Sequence, residues 1–158
     1  MRIVALSLAL FLLSFSVLQA AQPQIERIKP EGLYDHPAYI HLITVEGNWK
    51  TLYVAGQISV DKNFNCVGPG DWRIQYMQVM ENLKLALAAG GATFSDITYM
   101  RRFVTDMGAY FAMLKDKDNP VPDYLQGKPP PSTLIEVSAL AGECYLMEFD
   151  AIAAVPAE

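Results

Sequence analysis

The sequence predicts an α+β fold in which two helices pack on one face of a small mixed β-sheet. A length of 158 residues suits one domain with its own core. With 52% hydrophobic and 18% charged residues, the chain can bury enough apolar surface to offset its ordering entropy. Segments with strand and helix patterns follow one another as hairpin, long helix, strand, short helix and hairpin, which indicates a layered α+β domain.

The first half of the chain contains the first hairpin and the long helix. Residues 39–45 and 51–55 are rich in β-branched and aromatic residues, and the turn at residues 46–48 separates them, so we predict that they pair. Asp71 is placed to cap a helix that ends at Gly90 and Gly91. Apolar residues recur between these caps at helical spacing: Tyr76, Met80, Leu83 and Leu87.

The second half contains the remaining elements. Residues 96–105 predict a strand and residues 107–116 a shorter helix, while three consecutive prolines at 129–131 exclude helix there. We expect residues 133–140 and 145–153 to form the closing hairpin. Alternation in the last strand places Leu146, Glu148, Asp150 and Ile152 on one face. Because the helices cover only one side of this sheet, we expect copies of the same chain to cover the other.

Residues 1–20 have the organisation of a secretory signal peptide. Arg2 precedes an apolar run of 15 residues at 3–17, which is shorter than the roughly 20 needed to span a bilayer. The small residues Ala20 and Ala21 suit cleavage after either one. We therefore expect a secreted or periplasmic protein with no membrane contact after cleavage, although a retained anchor is the alternative. An N-terminal leader at residues 21–38 would precede a domain at residues 39–154.

The cysteines and histidines give no metal signature. An oxidising compartment would allow Cys66 and Cys144 to form a disulfide, but two separate thiols fit the sequence equally well. His36 and His41 stand at no ligand spacing relative to the cysteines, so we predict neither a metal nor a cofactor.

The charge balance argues against a nucleic-acid partner. Twelve Lys and Arg against seventeen Asp and Glu give a net charge of −5, and the basic residues are scattered apart from Arg101 and Arg102. Binding to a phosphate backbone requires a basic face, which this distribution does not predict.

Five segments, in order and spacing, resemble the RidA/YjgF family, which is also called endoribonuclease L-PSP and is better described as enamine/imine deaminases. They are VAGQI at 54–58, QVMENL at 78–83 continuing to AAG at 88–90, FVTDM at 103–107, STLIEV at 132–137 and MEFDAIA at 147–153. The resemblance spans residues 39–154. It implies a chorismate-mutase-like protomer in a homotrimer, with small-molecule clefts between subunits.

The resemblance also implies roles for individual residues. Glu148 occupies the position of the acid that handles protons or water, and a partly buried carboxyl suits that task. Gly56 stands at the position where the family's backbone can contact the ligand. Thr133, in the segment STLIEV, stands at the position where the family carries a side-chain hydroxyl. Tyr39 is the candidate for the pocket aromatic, with Tyr34 as a rival.

The family's substrate-clamping arginine is absent. Such a guanidinium holds a substrate carboxylate with two hydrogen bonds, but residues 128–133 offer only proline where it would stand. Ala55 replaces a small hydroxyl residue, and Leu114 replaces a polar amide. Lys128 could supply a charge from the loop, and Arg101 or Arg102 could do so from a neighbouring subunit. A loop lysine is usually solvated, however, and an arginine pair on a strand edge more often blocks edge pairing or forms surface ion pairs.

Three functions follow from these residues. The first is a RidA-like hydrolase of reactive enamines, imines or related molecules, in which activity on 2-imino acids is doubtful without the arginine. The second is a trimer that binds a small ligand without turnover, which the apolar Ala55 and Leu114 favour. The third, RNA cleavage, ranks last because the chain is acidic and no histidine pair lies in a matching segment.

Overall fold

The computed structural model of the protein describes residues 24–157, so the predicted signal peptide lies outside the described residues. The described chain forms six strands, two α-helices and one short 3₁₀ helix. In order, these are β1 (Gln24–Ile28), β2 (Leu42–Glu46), β3 (Trp49–Gln57), α1 (Trp72–Ala89), the 3₁₀ helix (Phe94–Asp96), β4 (Ile97–Val104), α2 (Met107–Lys115), β5 (Ser132–Glu136) and β6 (Met147–Pro156).

A four-stranded mixed sheet and a separate two-stranded ribbon make up the β-structure. The sheet has the order β3-β6-β4-β5, with β6 antiparallel to both neighbours and β5 parallel to β4. Both helices pack against one face of this sheet, as the sequence predicted. The core between the helices and the sheet includes Val79, Leu83, Met100, Tyr110, Met147 and Phe149.

The predicted N-terminal hairpin is wrong in its pairing. β2 pairs with β1 through the register Ile25↔Val45, whereas β3 pairs with β6. The turn at residues 46–48 does separate two strands, but a turn identifies strand ends and does not fix strand partners. Leu52 and Val54 of β3 pack against the core under the helices, which places β3 beside β6. β1 also lies within the segment that we expected to be a leader.

The predicted closing hairpin is also wrong. β4 lies between β5 and β6, and β5 runs parallel to β4 with the register Phe103↔Ile135. The chain passes from β4 through α2 to β5, and a crossover of this kind produces parallel neighbours. Residues 137–146 then return as a loop to the start of β6.

The ends of the helices follow the sequence signals. The Asp71 carboxylate accepts a hydrogen bond from the Ile74 amide at 2.9 Å and caps α1. Gly91 adopts a φ of +81° after the helix ends, a conformation that glycine reaches without strain. The Asp106 carboxylate caps α2 by accepting from the Ala109 amide at 2.8 Å.

A disulfide joins the two loops beside the N-terminal end of α1. Cys66 and Cys144 are bonded with their Cα atoms 6.5 Å apart. The fully buried Gln75 side chain lies next to this bond. Its amide nitrogen donates to the carbonyls of Cys144 and Gly68 at 2.8 and 3.1 Å, and its oxygen accepts from the Leu146 amide at 2.9 Å.

Two negative findings apply to residues 24–157. No helix there combines the length and apolar character needed to cross a bilayer. Over the same residues, no three His, Cys, Asp or Glu side chains gather in a way that could hold a metal ion.

Candidate functional site

The candidate site lies on the sheet face that the helices leave uncovered, which we call the open face. Strand register places Tyr53 of β3, Arg101 of β4 and both Glu148 and Asp150 of β6 on this face. Tyr53 is 81% exposed and Trp49 is 42% exposed. A groove of about 650 Å³ runs across the open face and is lined by Tyr53, Ala55, Gly56, Tyr99, Arg101 and Asp150.

The Glu148 carboxyl packs directly against the backbone of Gly56. The pairing of β3 with β6 is irregular between Val54 and Gln57, which places Gly56 in a bulged segment opposite the start of β6. A Cβ atom added at Gly56 would lie 2.7 Å from Glu148 Cδ, closer than real Cβ contacts come. Two residues that the family resemblance singled out separately are therefore in contact.

Glu148 is half-buried without an ionic partner. No salt bridge within residues 24–157 includes its carboxylate. Thr133, which could have tied this acid in place, instead shares a hydrogen bond of 2.8 Å with the Tyr99 hydroxyl. Thr133 lies on β5, two strands from β6, or roughly 10 Å away across the sheet. The open face thus carries both residues but keeps them apart.

Tyr39 and Lys128 lie together elsewhere. They line a cavity of about 260 Å³ formed by the β1–β2 ribbon, the segment before β2 and the turn at residues 127–129. We call this the N-terminal cavity. Tyr34 contacts Tyr39 through the two hydroxyl groups, so the rival aromatic belongs to the same cluster. His36 stacks on the Tyr39 ring with the centroids 4.6 Å apart.

The arginine pair does not occupy a strand edge, so the expected block to edge pairing is wrong, whereas the alternative expectation of a surface ion pair is confirmed for Arg101. β4 lies between β6 and β5. Arg101 points to the open face, where its guanidinium binds both oxygens of Asp150 at 3.1 and 2.6 Å. The Asp150 carboxylate, through this hydrogen bond and its charge, raises the pKa of Arg101.

Arg102 points to the opposite face, beneath α2. It donates to Ser132 Oγ at 2.9 Å and to the Tyr110 hydroxyl at 3.3 Å. Burial raises the pKa of Tyr110, so this phenol stays protonated beside the guanidinium. Both arginines therefore have partners within the same chain.

β5 contains no positively charged residue that could replace the absent substrate-clamping arginine. Pro131 precedes β5 and uses its carbonyl to accept a hydrogen bond from the Met100 amide at 3.0 Å. Ala55 lines the groove with a methyl group, and Leu114 is partly exposed on α2. Asp150 is the polar groove residue that sequence reasoning left without a role. Alternation along the strand placed it correctly, but its partner depended on the unpredicted pairing of β4 with β6.

Comparison with known proteins identifies the family. The model of the family described as endoribonuclease L-PSP matches residues 26–155. The chain belongs to this family. The RidA/YjgF resemblance of the five segments is therefore confirmed, and the family match begins within β1.

Individual proteins that are similar to this chain agree with this assignment. A RutC family protein of Sulfurisphaera tokodaii is 35% identical over 118 residues, which cover 75% of this chain and 85% of that protein. Protein DfrA of Myxococcus xanthus is 38% identical over 104 residues, 66% of this chain and 76% of its own. The crystal structure of the Rid family protein YyfB of Yersinia pestis, whose function is described as unknown, superposes with a TM-score of 0.69. It is 30% identical, with coverage of 83% of this chain and 98% of YyfB.

Proposed function

We propose that the protein is a Rid-type hydrolase that deaminates reactive enamines, imines or related small molecules in clefts between subunits of a homotrimer. The observation that carries this proposal is the Glu148 carboxyl, which is half-buried against Gly56 on the open face without a salt-bridge partner in residues 24–157. A carboxyl in this setting is available to a ligand, because no neighbouring charge holds it.

The chemistry requires one group that both accepts and donates a proton. Water adds to the carbon of the C=N bond while nitrogen gains a proton, and the resulting carbinolamine then loses ammonia to leave a carbonyl. Glu148 in its protonated form donates to the imine nitrogen, and its carboxylate takes the proton from the attacking water. The backbone at Gly56 holds no side chain that would keep a small substrate away from this carboxyl.

The substrate preference follows from the missing guanidinium. A hydrogen bond to a charged group contributes roughly 1.5–3 kcal/mol, or about tenfold to a hundredfold in binding. Because proline occupies the clamp position and Asp150 neutralises Arg101, we expect substrates without a carboxylate beside the reacting carbon to be preferred over 2-imino acids.

The proposed activity is tested by ammonia release with Glu148→Gln. Purified protein is given enzymatically generated 2-imino acids and, in parallel, an imine of similar size without a carboxylate. We expect Glu148→Gln to lower the rate above the uncatalysed blank by about a hundredfold or more. Glu143→Gln, which changes an exposed loop acid, is the matched control and should match the wild type. Equal ammonia release by the wild type, Glu148→Gln and the blank would contradict the proposed hydrolase activity.

The trimer is supported by the apolar groups left exposed on the open face. Tyr53 is 81% exposed there, and a protein surface rarely leaves such a face without cover. We expect Tyr53→Glu to dissociate the assembly in sedimentation velocity experiments. Leu85→Glu is the control, because Leu85 is 69% exposed on α1, on the other side of the molecule. A wild-type protein that sediments as a monomer would contradict the proposed clefts.

A trimer that binds ligand without turnover is the second candidate. Ala55 in the groove favours it, since a methyl group there supplies no hydrogen bond to position water or substrate. This candidate predicts saturable binding of a neutral ligand together with ammonia release at the blank rate. Turnover that depends on Glu148 would exclude it.

We also propose that the protein acts outside the cytoplasm, in the periplasm or as a secreted protein. The signal-peptide pattern of residues 1–20 and the disulfide between Cys66 and Cys144 both support this location. Fractionation of cells expressing the full chain should recover a shortened protein outside the cytoplasm, and recovery of the full-length chain in the cytoplasm would contradict the proposal.

A further inference from the structure

The N-terminal cavity collects positive charge in a chain that is acidic overall. Arg27, Lys29 and Lys128 line it, whereas Asp35 is its one acidic lining residue. Lys29 already pairs with Asp35 at 3.0 Å. Arg27 and Lys128 have no salt-bridge partner in residues 24–157. Two cations thus remain uncompensated at this cavity, although the protein carries a net charge of −5.

The hydrogen-bond donors at the cavity are held in fixed positions. One terminal nitrogen of Arg27 donates to the Ser95 carbonyl at 2.8 Å, which anchors the guanidinium, while its Nε is buried and has no acceptor among the described residues. Because Nε is closed off from solvent, a ligand in the cavity can bond Arg27 only through its terminal nitrogens.

His36 adds a further hydrogen-bond donor. Its Nδ1 accepts from the Ala38 amide at 3.1 Å, so the proton of the neutral ring is on Nε2. Stacking on Tyr39 orients the ring. His41 differs, because its Nε2 is already bonded to the Tyr34 carbonyl at 2.6 Å.

Lys128 is presented from a rigid turn. The Asp123 carboxylate accepts from the amides of Leu125 and Gly127 at 3.1 and 3.0 Å, and the Lys128 amide donates to the Leu125 carbonyl at 2.9 Å. Pro129 follows immediately and restricts the backbone. A turn that is ordered before binding loses little entropy when a ligand arrives.

We propose that the N-terminal cavity binds a small oxyanion, a carboxylate or a phosphate, between Arg27, His36 and Lys128. Its volume of about 260 Å³ equals roughly nine water molecules, which is room for such a group together with a short carbon chain. Guanidinium, imidazole and ammonium donors are the side chains that recognise these anions. The residues that line this cavity include neither Glu148 nor Gly56, and anion binding is measured separately from ammonia release.

The test uses the two histidines as reporters, because the chain contains only two. Imidazole resonances are assigned with His36→Gln and His41→Gln, and the protein is then titrated with inorganic phosphate and, separately, with propanoate at constant ionic strength. We expect at least one of the two anions to shift the His36 resonances saturably. Lys128→Met should raise the dissociation constant about tenfold or more.

Lys62→Met is the matched control, since it removes an exposed lysine from a loop outside the cavity. Lys128 is exposed, so its substitution does not threaten folding, and the circular dichroism spectrum verifies this. Shifts with only one anion decide between carboxylate and phosphate. The site does not exist if neither anion produces a saturable shift, or if Lys128→Met binds as tightly as the wild type. If Lys62→Met weakens anion binding as much as Lys128→Met does, the binding reflects general charge attraction, and this result would also overturn the proposal.

Discussion

At the scale of single residues, a lack of room for a side chain explains the glycine at position 56, and its backbone conformation does not. Its φ is not among the positive values found at other glycines, so an L-residue could adopt its backbone. What excludes a side chain there is the Glu148 carboxyl, which occupies the position that a Cβ would take. The glycine and the acid therefore form one structural unit on the open face.

Substitution of Gly56 by alanine tests this unit. We expect Gly56→Ala to force the Glu148 side chain from its position and to abolish any activity that depends on Glu148. The cost in unfolding free energy should be about 1 kcal/mol or less, because a half-buried glutamate side chain can rotate away. Urea denaturation and ammonia release measure the two effects. In the Glu148→Ala background the same change should cost little, because the overlapping carboxyl is gone. An equal cost in both backgrounds would show that the clash lies elsewhere.

Sequence reasoning reached some residues of the site and missed others. Glu148 and Gly56 could be singled out because both stand in segments that resemble the family, and the structure places them in contact. Arg27, which lines the N-terminal cavity, could not be found this way, because it falls in a segment that we expected to be a leader. The pairing of Arg101 with Asp150 required knowledge of which strands are neighbours, and alternation within one strand does not contain that information.

At the scale of elements, Gln75 joins α1 to the loop that leads into β6. It is fully buried and satisfies three backbone groups, which belong to Gly68, Cys144 and Leu146. The helical pattern of the sequence predicts that Gln75 lies on the solvent-facing side of α1 with Gln78, Glu81 and Lys84, and for Gln75 this is wrong. Its role depends on two loops that reach the helix from distant parts of the chain.

Replacement of Gln75 by leucine removes all three bonds while keeping a similar volume. Each buried backbone group left without a partner costs about 1–3 kcal/mol, and partial relaxation makes about 2–4 kcal/mol our expected total loss. Chemical denaturation followed by circular dichroism measures it. Gln78→Leu is the control, because Gln78 on the same helix bonds only Asn82 among the described side chains. A Gln75→Leu protein as stable as Gln78→Leu would contradict this role.

The elements themselves were more predictable than their partners. Both helices and their caps follow from local signals, since Asp71 and Asp106 precede apolar runs with helical spacing. Both predicted hairpins were wrong, because β2 pairs with β1, β3 pairs with the distant β6, and β5 pairs with β4. Local sequence fixes where a strand begins and ends, whereas its neighbours depend on how the helices pack.

At the scale of the whole molecule, the disulfide constrains most of the domain. Its cysteines are 78 residues apart, so the closed loop contains both helices, β4 and β5. In the chain-entropy model a loop of this length stabilises the folded state by about 4.5 kcal/mol. The sequence did not show whether this disulfide forms, because the spacing of two cysteines along the chain does not show whether their Cα atoms come close.

Removal of the disulfide should weaken the fold without changing it. We expect the double variant Cys66→Ala and Cys144→Ala to lose about 2–5 kcal/mol of unfolding free energy. Treatment of the wild type with dithiothreitol should lower its stability similarly, and thiol titration would confirm reduction. The same treatment should leave the double variant unchanged. If reduction leaves the unfolding free energy of the wild type unchanged, the disulfide does not contribute to stability.

The position of β6 has a consequence for how the protein is made. This strand follows every other element in the chain, yet it lies between β3 and β4. A ribosome therefore finishes all three of the sheet's other strands before the one that connects them has been synthesised. Until then β3 and β4 have no common neighbour, so the four-stranded sheet cannot be completed before β6 has been synthesised.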